Sequence, residues 1–255
     1  MRLIPHISLM IVTAALGGSL LAFQRAPYQA TGFEGDHLAA FPPDGHEKTE
    51  FVFARLKFLG LSYGYGGNWW AIDYPKADRA LVQGVRRLTR VHVRSAEQVV
   101  DPSSDDLYNW PWIYAGQVSH WTFTPDQAAR MADYLTRGGF LMIDDSHGDY
   151  EWEVVLAGLR MIFPDRPVED LRDDDEIYHV LYDIDGHVQI PGTRFIWGGG
   201  RFPSGVKDNP KYRVIRDDNG RVMIAICHNT DVADAWEWAD SPDYPEPKAS
   251  ASYRM

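Results

Sequence analysis

Acidic and imidazole side chains are concentrated in two short segments of the chain. Segment 144–149 reads DDSHGD and follows the apolar run 140–143, and segment 228–231 reads HNTD and follows the apolar run 222–227. Carboxylates and imidazoles transfer protons near neutral pH, and both bind divalent metals. The two segments therefore predict an acid–base site or a metal site. The candidate catalytic residues are Asp144, Asp145 and His147.

A shared metal site requires that the two segments meet in space. The carboxyl ends of parallel strands lie at one edge of a sheet, so parallel strands would bring the segments together. Carboxylate oxygen and imidazole nitrogen suit Zn, Mn or Fe, and we expect such a divalent metal at this edge. Its candidate ligands are Asp145, His147, His228 and Asp231.

The same side chains also have structural explanations. A carboxylate in the first turn of a helix stabilises that terminus, and Asp149 is a candidate N-cap. His228 is equally consistent with a hydrogen-bonded structural histidine. Cys227 precedes it directly, but neighbouring strand residues point to opposite faces, so this cysteine and histidine cannot easily form a nucleophile–base pair.

Aromatic residues beside the acidic segments suggest a ligand-binding surface. An aromatic ring stacks on the apolar face of a sugar or peptide, while nearby carboxylates accept its hydrogen bonds. Core packing is the alternative for each ring. Trp69 and Trp70 form the best candidate pair, since two adjacent bulky residues in a Gly-rich loop are hard to bury together. The candidate ligand-binding residues are Trp69, Trp70, Trp152 and Asn229.

Alternating strands and helices position these segments. Apolar runs predict strands at 51–58, 91–93, 112–115 and 140–143. Apolar residues at three- and four-residue spacing predict helices that begin near Pro75, Thr124 and Gly148. The alternation is typical of a three-layer α/β fold with helices on both faces of a mostly parallel sheet.

Local signals refine two of these elements. Thr124, followed by Pro125 and Gln127, has the sequence of a helix capping box. The pair Asn219-Gly220 favours a tight turn between the apolar runs 212–215 and 222–227. An antiparallel hairpin is therefore expected at one end of the parallel sheet.

Composition and charge exclude several protein classes. The chain has 255 residues and a formal net charge of −11, and no basic run is longer than Arg86-Arg87. Nucleic-acid binding needs clustered cations, so nucleic acid is not an expected partner. The single cysteine, Cys227, excludes an intramolecular disulfide framework, and its place in an apolar run predicts a buried thiol.

The N-terminus predicts export. Segment 7–23 is uncharged and mostly apolar and follows Arg2, which is typical of a bacterial export signal. It is shorter than the roughly 20 residues of a membrane-spanning helix, although an uncleaved anchor is the alternative. We expect a signal or anchor at 1–23, a linker at 24–50 and one α/β domain at 51–255, located in the periplasm or on the periplasmic side of the inner membrane.

Four groups of residues together resemble a known family. They are segment 53–56, segment 138–141 with Asp144-Asp145, segment 177–179, and segment 226–231 with Trp236-Glu237. The pattern resembles the bacterial family called domain of unknown function 4159, over roughly residues 50 to 240. The resemblance implies a flavodoxin-like sheet similar to the class I glutamine amidotransferase fold, in proteins that are often exported or membrane-anchored. It implies no activity, and the turn 143–148 carries Asp145 and Ser146 where amidotransferase chemistry needs a cysteine.

Three functions are compatible with this sequence. The first is an extracytoplasmic domain that binds a glycan or another cell-envelope ligand, or that serves in an assembly with membrane proteins. The second is a metal-dependent hydrolase with an Asp/His site at the carboxyl edge of the sheet. The third is a structural subunit with a degenerate pocket. The first and second predict the same crevice.

Overall fold

The computed structural model of the protein describes residues 41–61, 67–184, 187–198, 206 and 209–255. The apolar segment 7–23 and residues 24–40 of the predicted linker lie outside the described residues, so the expectations for them stay predictions. Within the described residues, no helix combines the length and the apolar character of a membrane-spanning segment.

A mostly parallel sheet forms the centre of the fold. In chain order, the described strands are β1 (Ala54–Leu56), β2 (Leu59–Gly60), β3 (Gln98–Val100), β4 (Trp112–Ala115), β5 (Trp121–Thr122), β6 (Phe140–Ser146), β7 (Glu169–Asp170), β8 (Lys211–Arg216) and β9 (Val222–His228). Seven of them form one sheet in the order β3-β1-β4-β6-β9-β8-β7. Neighbours from β3 to β9 are parallel, whereas β8 and β7 join antiparallel. The remaining strands, β2 and β5, pair separately.

Helices cover both faces of this sheet. They are α1 (Lys76–Leu88), α2 (Pro125–Thr136), α3 (Gly148–Ile162), α4 (Thr193–Trp197), α5 (Val232–Glu237) and α6 (Glu246–Ser252). Met131 of α2 and Leu159 of α3 belong to one buried core. Val82 of α1 and Trp236 of α5 belong to a second core. The expected three-layer α/β architecture is confirmed.

The sequence signals located several elements to within a residue or two. The strand 112–115 has its predicted bounds, and the hairpin 211–228 is antiparallel as expected. The capping box is formed: the Gln127 N–H donates to Thr124 Oγ1 at 3.2 Å, and the Thr124 N–H donates to Gln127 Oε1 at 3.0 Å. Cys227 is buried in β9, as predicted.

Three local predictions are wrong. Residues 91–93 form no regular strand, because Val93 makes only an isolated bridge to Phe51, and the edge strand is the later segment β3. Strand β6 continues through the polar residues to Ser146, since its neighbour β9 provides partners there. The N-cap of α3 is His147 rather than Asp149, because the helix already begins at Gly148.

Candidate functional site

The two predicted segments meet at the carboxyl edge of the sheet. Strands β6 and β9 are parallel neighbours, and their register pairs Ile143 with Ile226 and Ser146 with His228. The backbone N–H of Asn229 also donates to the Ser146 carbonyl at 2.8 Å. The two strands therefore run parallel, as the predicted site requires.

Among the described residues, four non-glycine residues have a positive φ: Asp73, Gln117, Asp145 and Asn229, with φ of 60°, 52°, 57° and 61°. This left-handed region is uncommon for residues with a side chain, and such residues cluster at functional sites. Gln117 follows β4, Asp145 lies in β6 and Asn229 follows β9, so the feature recurs at the carboxyl ends of three adjacent strands. The unusual backbone points to this edge as the functional region.

The Asp145 carboxylate is held by two neighbours. Gln117 Nε2 donates to Asp145 Oδ2 in a short contact, and Asp145 Oδ1 lies 3.4 Å from His147 Nδ1. Asp145 and His147 are both buried. A buried carboxylate beside an imidazole is an arrangement that can accept and donate protons.

Arg194 determines which nitrogen of His147 carries the proton. Its Nη2 lies 3.0 Å from His147 Nδ1. A guanidinium group can only donate, so Nδ1 accepts and the neutral ring carries its hydrogen on Nε2. Nε2 is buried and has no hydrogen-bond partner among the described residues. The ring therefore offers one N–H donor that the fold does not use.

Asp144 holds a helix in place. Its Oδ2 accepts hydrogen bonds from the backbone N–H groups of Val232 and Ala233, at 2.7 and 3.0 Å, and from the Tyr114 hydroxyl at 3.2 Å. Val232 and Ala233 begin α5. Burial and the charge of Asp145 raise the pKa of Asp144 to about 8. The contacts of this carboxylate with the backbone position α5 against the sheet.

The raised pKa of Asp144 predicts that stability falls as pH rises from about 4 to about 8. The folded protein keeps this proton up to about pH 8, whereas an unfolded aspartate releases it near its ordinary pKa of 3.8. The resulting stabilisation is complete below the unfolded pKa and is lost as pH rises through the folded pKa. We expect the free energy of unfolding, measured in urea, to be lower at pH 9 than at pH 6, and we expect this difference to shrink in Asp144→Asn.

The control for this pH dependence is Asp149→Asn, because Asp149 is exposed and lies in the same segment. The control should keep the wild-type difference between pH 6 and pH 9. Burial also raises the pKa of Asp73, Asp231 and Asp234, so Asp144→Asn should reduce the difference without removing it. An unchanged difference in Asp144→Asn would contradict the assignment.

Asp231 and Asn229 also bond to the backbone of the fold. Asp231 is the N-cap of α5, and its Oδ1 accepts from the Asp234 N–H at 3.1 Å. Asn229 Oδ1 accepts from the Gly148 N–H at 2.9 Å, and Asn229 Nδ2 donates to the Asn209 carbonyl at 2.8 Å. These contacts fix the starts of α5 and α3 next to each other.

Three carboxylates form a compact group beside these residues. Asp73, Asp234 and Glu237 are buried, and each offers an oxygen within 4.8 Å of the others. Burial and the charges of Asp234 and Glu237 raise the pKa of Asp73 well above its ordinary value. Among the described residues, this is the group whose spacing suits a metal ion. The four predicted ligands, Asp145, His147, His228 and Asp231, are not brought together as one such group.

Ser146 and His228 form a second pair. Ser146 Oγ lies 3.1 Å from His228 Nδ1, and both residues are buried. Burial, together with the nearby cation of Arg213, lowers the pKa of His228 to about 3. An imidazole with so low a pKa is too weak a base to take the serine proton near neutral pH. The pair fits the structural explanation of His228 better than a nucleophile with its base.

The tryptophan candidates have different surroundings. Trp70 is 1% exposed and belongs to the core, whereas Trp69 is half-buried and stacks on His120 with ring centroids 3.6 Å apart. Trp152 lies 5.0 Å from the His228 ring, and the Arg213 guanidinium lies 4.0 Å from the Trp152 centroid. Trp69 is therefore the more exposed ring of the predicted pair. Its use by a ligand stays a prediction.

Sequence reasoning did not identify several residues of this region. Gln117, Arg194 and Asp73 lie in loops or short helices, far along the chain from the residues they contact. One signal was available: Asp231, Asp234 and Glu237 recur every three residues, which places carboxylates on one side of a short helix.

The comparisons with known proteins identify a family but no activity. A model of the family described as "Domain of unknown function (DUF4159)" matches residues 53–255. No curated protein matches the chain. The matched range includes every residue of the carboxyl edge described above. Any reaction must therefore be inferred from the side chains themselves.

Proposed function

The chain belongs to the DUF4159 family, and we propose that it is a hydrolase in which Asp145 is the base and His147 donates a hydrogen bond to the substrate. The observation that carries the proposal is that Asp145, whose φ is 57°, lies beside a His147 ring whose Nε2–H has no hydrogen-bond partner among the described residues. Asp145 lies near the carboxyl end of β6, at the edge that parallel sheets use for ligand binding. Gln117 and Arg194 hold the pair from either side.

The two side chains would take complementary roles in hydrolysis. The Asp145 carboxylate accepts a proton from water, and the resulting hydroxide attacks the substrate. The protonated Asp145 then gives that proton to the leaving group as its bond to the substrate breaks, while the His147 Nε2–H donates a hydrogen bond to the substrate oxygen on which negative charge develops. Proton transfer by positioned side chains of this kind contributes about 10²–10⁴-fold to enzymatic rates.

A screen of chromogenic substrates tests this proposal. Nitrophenyl esters, phosphates and glycosides would be offered to the purified protein, and His147→Gln should lower the hydrolysis rate of any accepted substrate by about 10²-fold. His92→Gln is the matched control, because the His92 side chain is 59% exposed. Absence of hydrolysis for all three classes, or equal rates in His147→Gln and wild type, would contradict the proposal.

We also propose that the carboxylate group binds a hard divalent cation. Asp73, Asp234 and Glu237 offer only oxygen ligands, which favour Mg²⁺, Mn²⁺ or Ca²⁺ over Zn²⁺. Burial and the charges of Asp234 and Glu237 raise the pKa of Asp73, and a bound cation would offset that repulsion. Such a cation would supply a Lewis acid beside Asp145.

Calorimetric titration with MgCl₂, MnCl₂, CaCl₂ and ZnCl₂ tests the cation proposal. We expect saturable binding of at least one of the first three salts, with a rise in melting temperature, and loss of both in Asp73→Asn. Asparagine tolerates the positive φ at this position, so the variant should fold. Asp240→Asn is the control, because Asp240 is exposed. No binding to metal-free protein, or binding that survives in Asp73→Asn, would contradict the proposal.

We propose that the enzyme acts outside the cytoplasm on cell-envelope material. The support is the composition of segment 7–23, which is typical of an export signal. Envelope glycans and membrane proteins are the corresponding candidate partners. Fractionation of cells that express the full chain should find it in the periplasm or the inner membrane, and a purely cytoplasmic chain would contradict this location.

A further inference from the structure

We propose that a groove between α1 and the C-terminal helices binds an organic anion with an apolar body. The groove has a volume of about 1030 Å³. Its walls come from α1, from the end of α5 and from α6, together with Tyr182. This volume is in the range of pockets that bind small molecules. The proposal does not depend on hydrolysis, and it concerns a different part of the protein surface.

Positive charge distinguishes this groove from the rest of the chain. The net charge of the protein is −11, yet four cationic side chains line the groove against two acidic ones. The cations are Lys76, Arg79, Arg87 and Arg254, and the acids are Glu237 and Asp240. An anion is therefore attracted to this groove and repelled by most of the remaining surface.

The four cations are not equally available. Arg79 Nε donates to Glu97 Oε2 at 2.9 Å, and Lys76 Nζ lies 3.8 Å from Glu237 Oε1. Arg87 and Arg254 are exposed, and neither forms a salt bridge with a described residue. Arg254 makes only a long contact of 3.4 Å with the Ser250 hydroxyl. These two arginines are the side chains that an anionic group would meet.

The apolar part of the lining explains why the ligand needs an apolar body. Leu88 is 52% exposed at the end of α1. Tyr253 is half-buried, and its ring packs against Gly84. A larger residue at position 84 would collide with the Tyr253 ring. Ala80 and Ala239 add small apolar surface. A concave surface with apolar walls and two available guanidinium groups suits an aryl sulfonate, phosphate or carboxylate.

Fluorescence titration tests the groove with a defined probe. Anilinonaphthalene sulfonate has an aromatic body and one negative charge, and we expect saturable binding of one probe per chain. The neutral phenylnaphthylamine should bind at least about tenfold more weakly, because it lacks the charged group. Arg87→Ala combined with Arg254→Ala should weaken sulfonate binding by about tenfold or more. Both arginines are exposed, so this variant should fold.

Two further variants make the result specific to the groove. Gln83 is an exposed residue that lines the groove, and Gln83→Trp should block binding by filling it. Arg90→Ala should bind like wild type, because Arg90 is exposed and does not line the groove. Non-saturable binding, equal affinity for the neutral probe, or unchanged affinity in the double arginine variant would overturn the proposal. None of these outcomes bears on hydrolysis by Asp145.

Discussion

Asp145→Asn is expected to lower the rate of hydrolysis by about 10²–10⁴-fold, because asparagine cannot accept the proton of the attacking water. The change is nearly isosteric. Asparagine also tolerates the positive φ of 57° at this position, and its amide oxygen can still accept from Gln117. The loss should therefore appear in the rate constant, while the free energy of unfolding stays within about 1 kcal/mol of wild type.

Two comparisons separate this effect from a general disturbance. Asp149→Asn changes an exposed carboxylate four residues along the chain and should keep the wild-type rate. Asp145→Ala removes the carboxylate and also strains the backbone, so it should lose both activity and about 1 kcal/mol of stability. A rate in Asp145→Asn within a few-fold of wild type would contradict a proton-accepting role for this residue.

Arg55→Ala is expected to destabilise the protein by about 3–5 kcal/mol, because it leaves a buried carboxylate without its partner. Arg55 lies in β1 and is 1% exposed, and Asp78 in α1 is 0% exposed. Arg55 Nε donates to both oxygens of Asp78 at 3.0 Å, and Nη2 makes a further short contact with Oδ1. Arg55 Nη1 also donates to the carbonyls of Trp70 and Ile72, at 3.2 and 3.0 Å.

Urea denaturation at pH 8 measures this loss. Burial raises the pKa of Asp78 to about 6 against the opposing charge of Arg55, so the carboxylate is ionised at pH 8 and the lost pairing has its full effect. Arg137→Ala is the control. Its partner Asp133 lies on the surface, where ion pairs contribute about 0–1 kcal/mol. The double change Arg55→Met with Asp78→Leu should recover much of the loss. If Arg55→Ala were as stable as Arg137→Ala, that result would contradict a buried ion pair.

The sequence predicted the elements that local patterns determine. The helix after Thr124 and the strand 112–115 have strong local signals, and both are present with their expected bounds. Arg55, however, forms a buried ion pair that was not predicted from the sequence. Its partner Asp78 is 23 residues away, and no local pattern indicates that the two meet.

Only part of the candidate site could be predicted from the sequence, because local patterns do not show which distant residues meet. Its strands carry segments 144–149 and 228–231, whose proximity follows from the rule that parallel strands end at one edge. The roles within the segments depend on contacts from elsewhere. Asp144 and Asp231 hold α5, and Gln117 and Arg194 surround Asp145 and His147. Sequence spacing alone cannot distinguish a carboxylate that caps a helix from one that faces a substrate.

The buried thiol of Cys227 can report local opening of the protein, because it reacts only when it is exposed to solvent. The Cys227 side chain belongs to the second core, so a disulfide reagent can reach this sulfur only after the packing on that face of the sheet opens. Burial also raises the pKa of the thiol, so even a brief opening must expose it fully before it ionises and reacts. The labelling rate therefore measures the frequency of this opening without any engineered probe, in wild type and in each variant above.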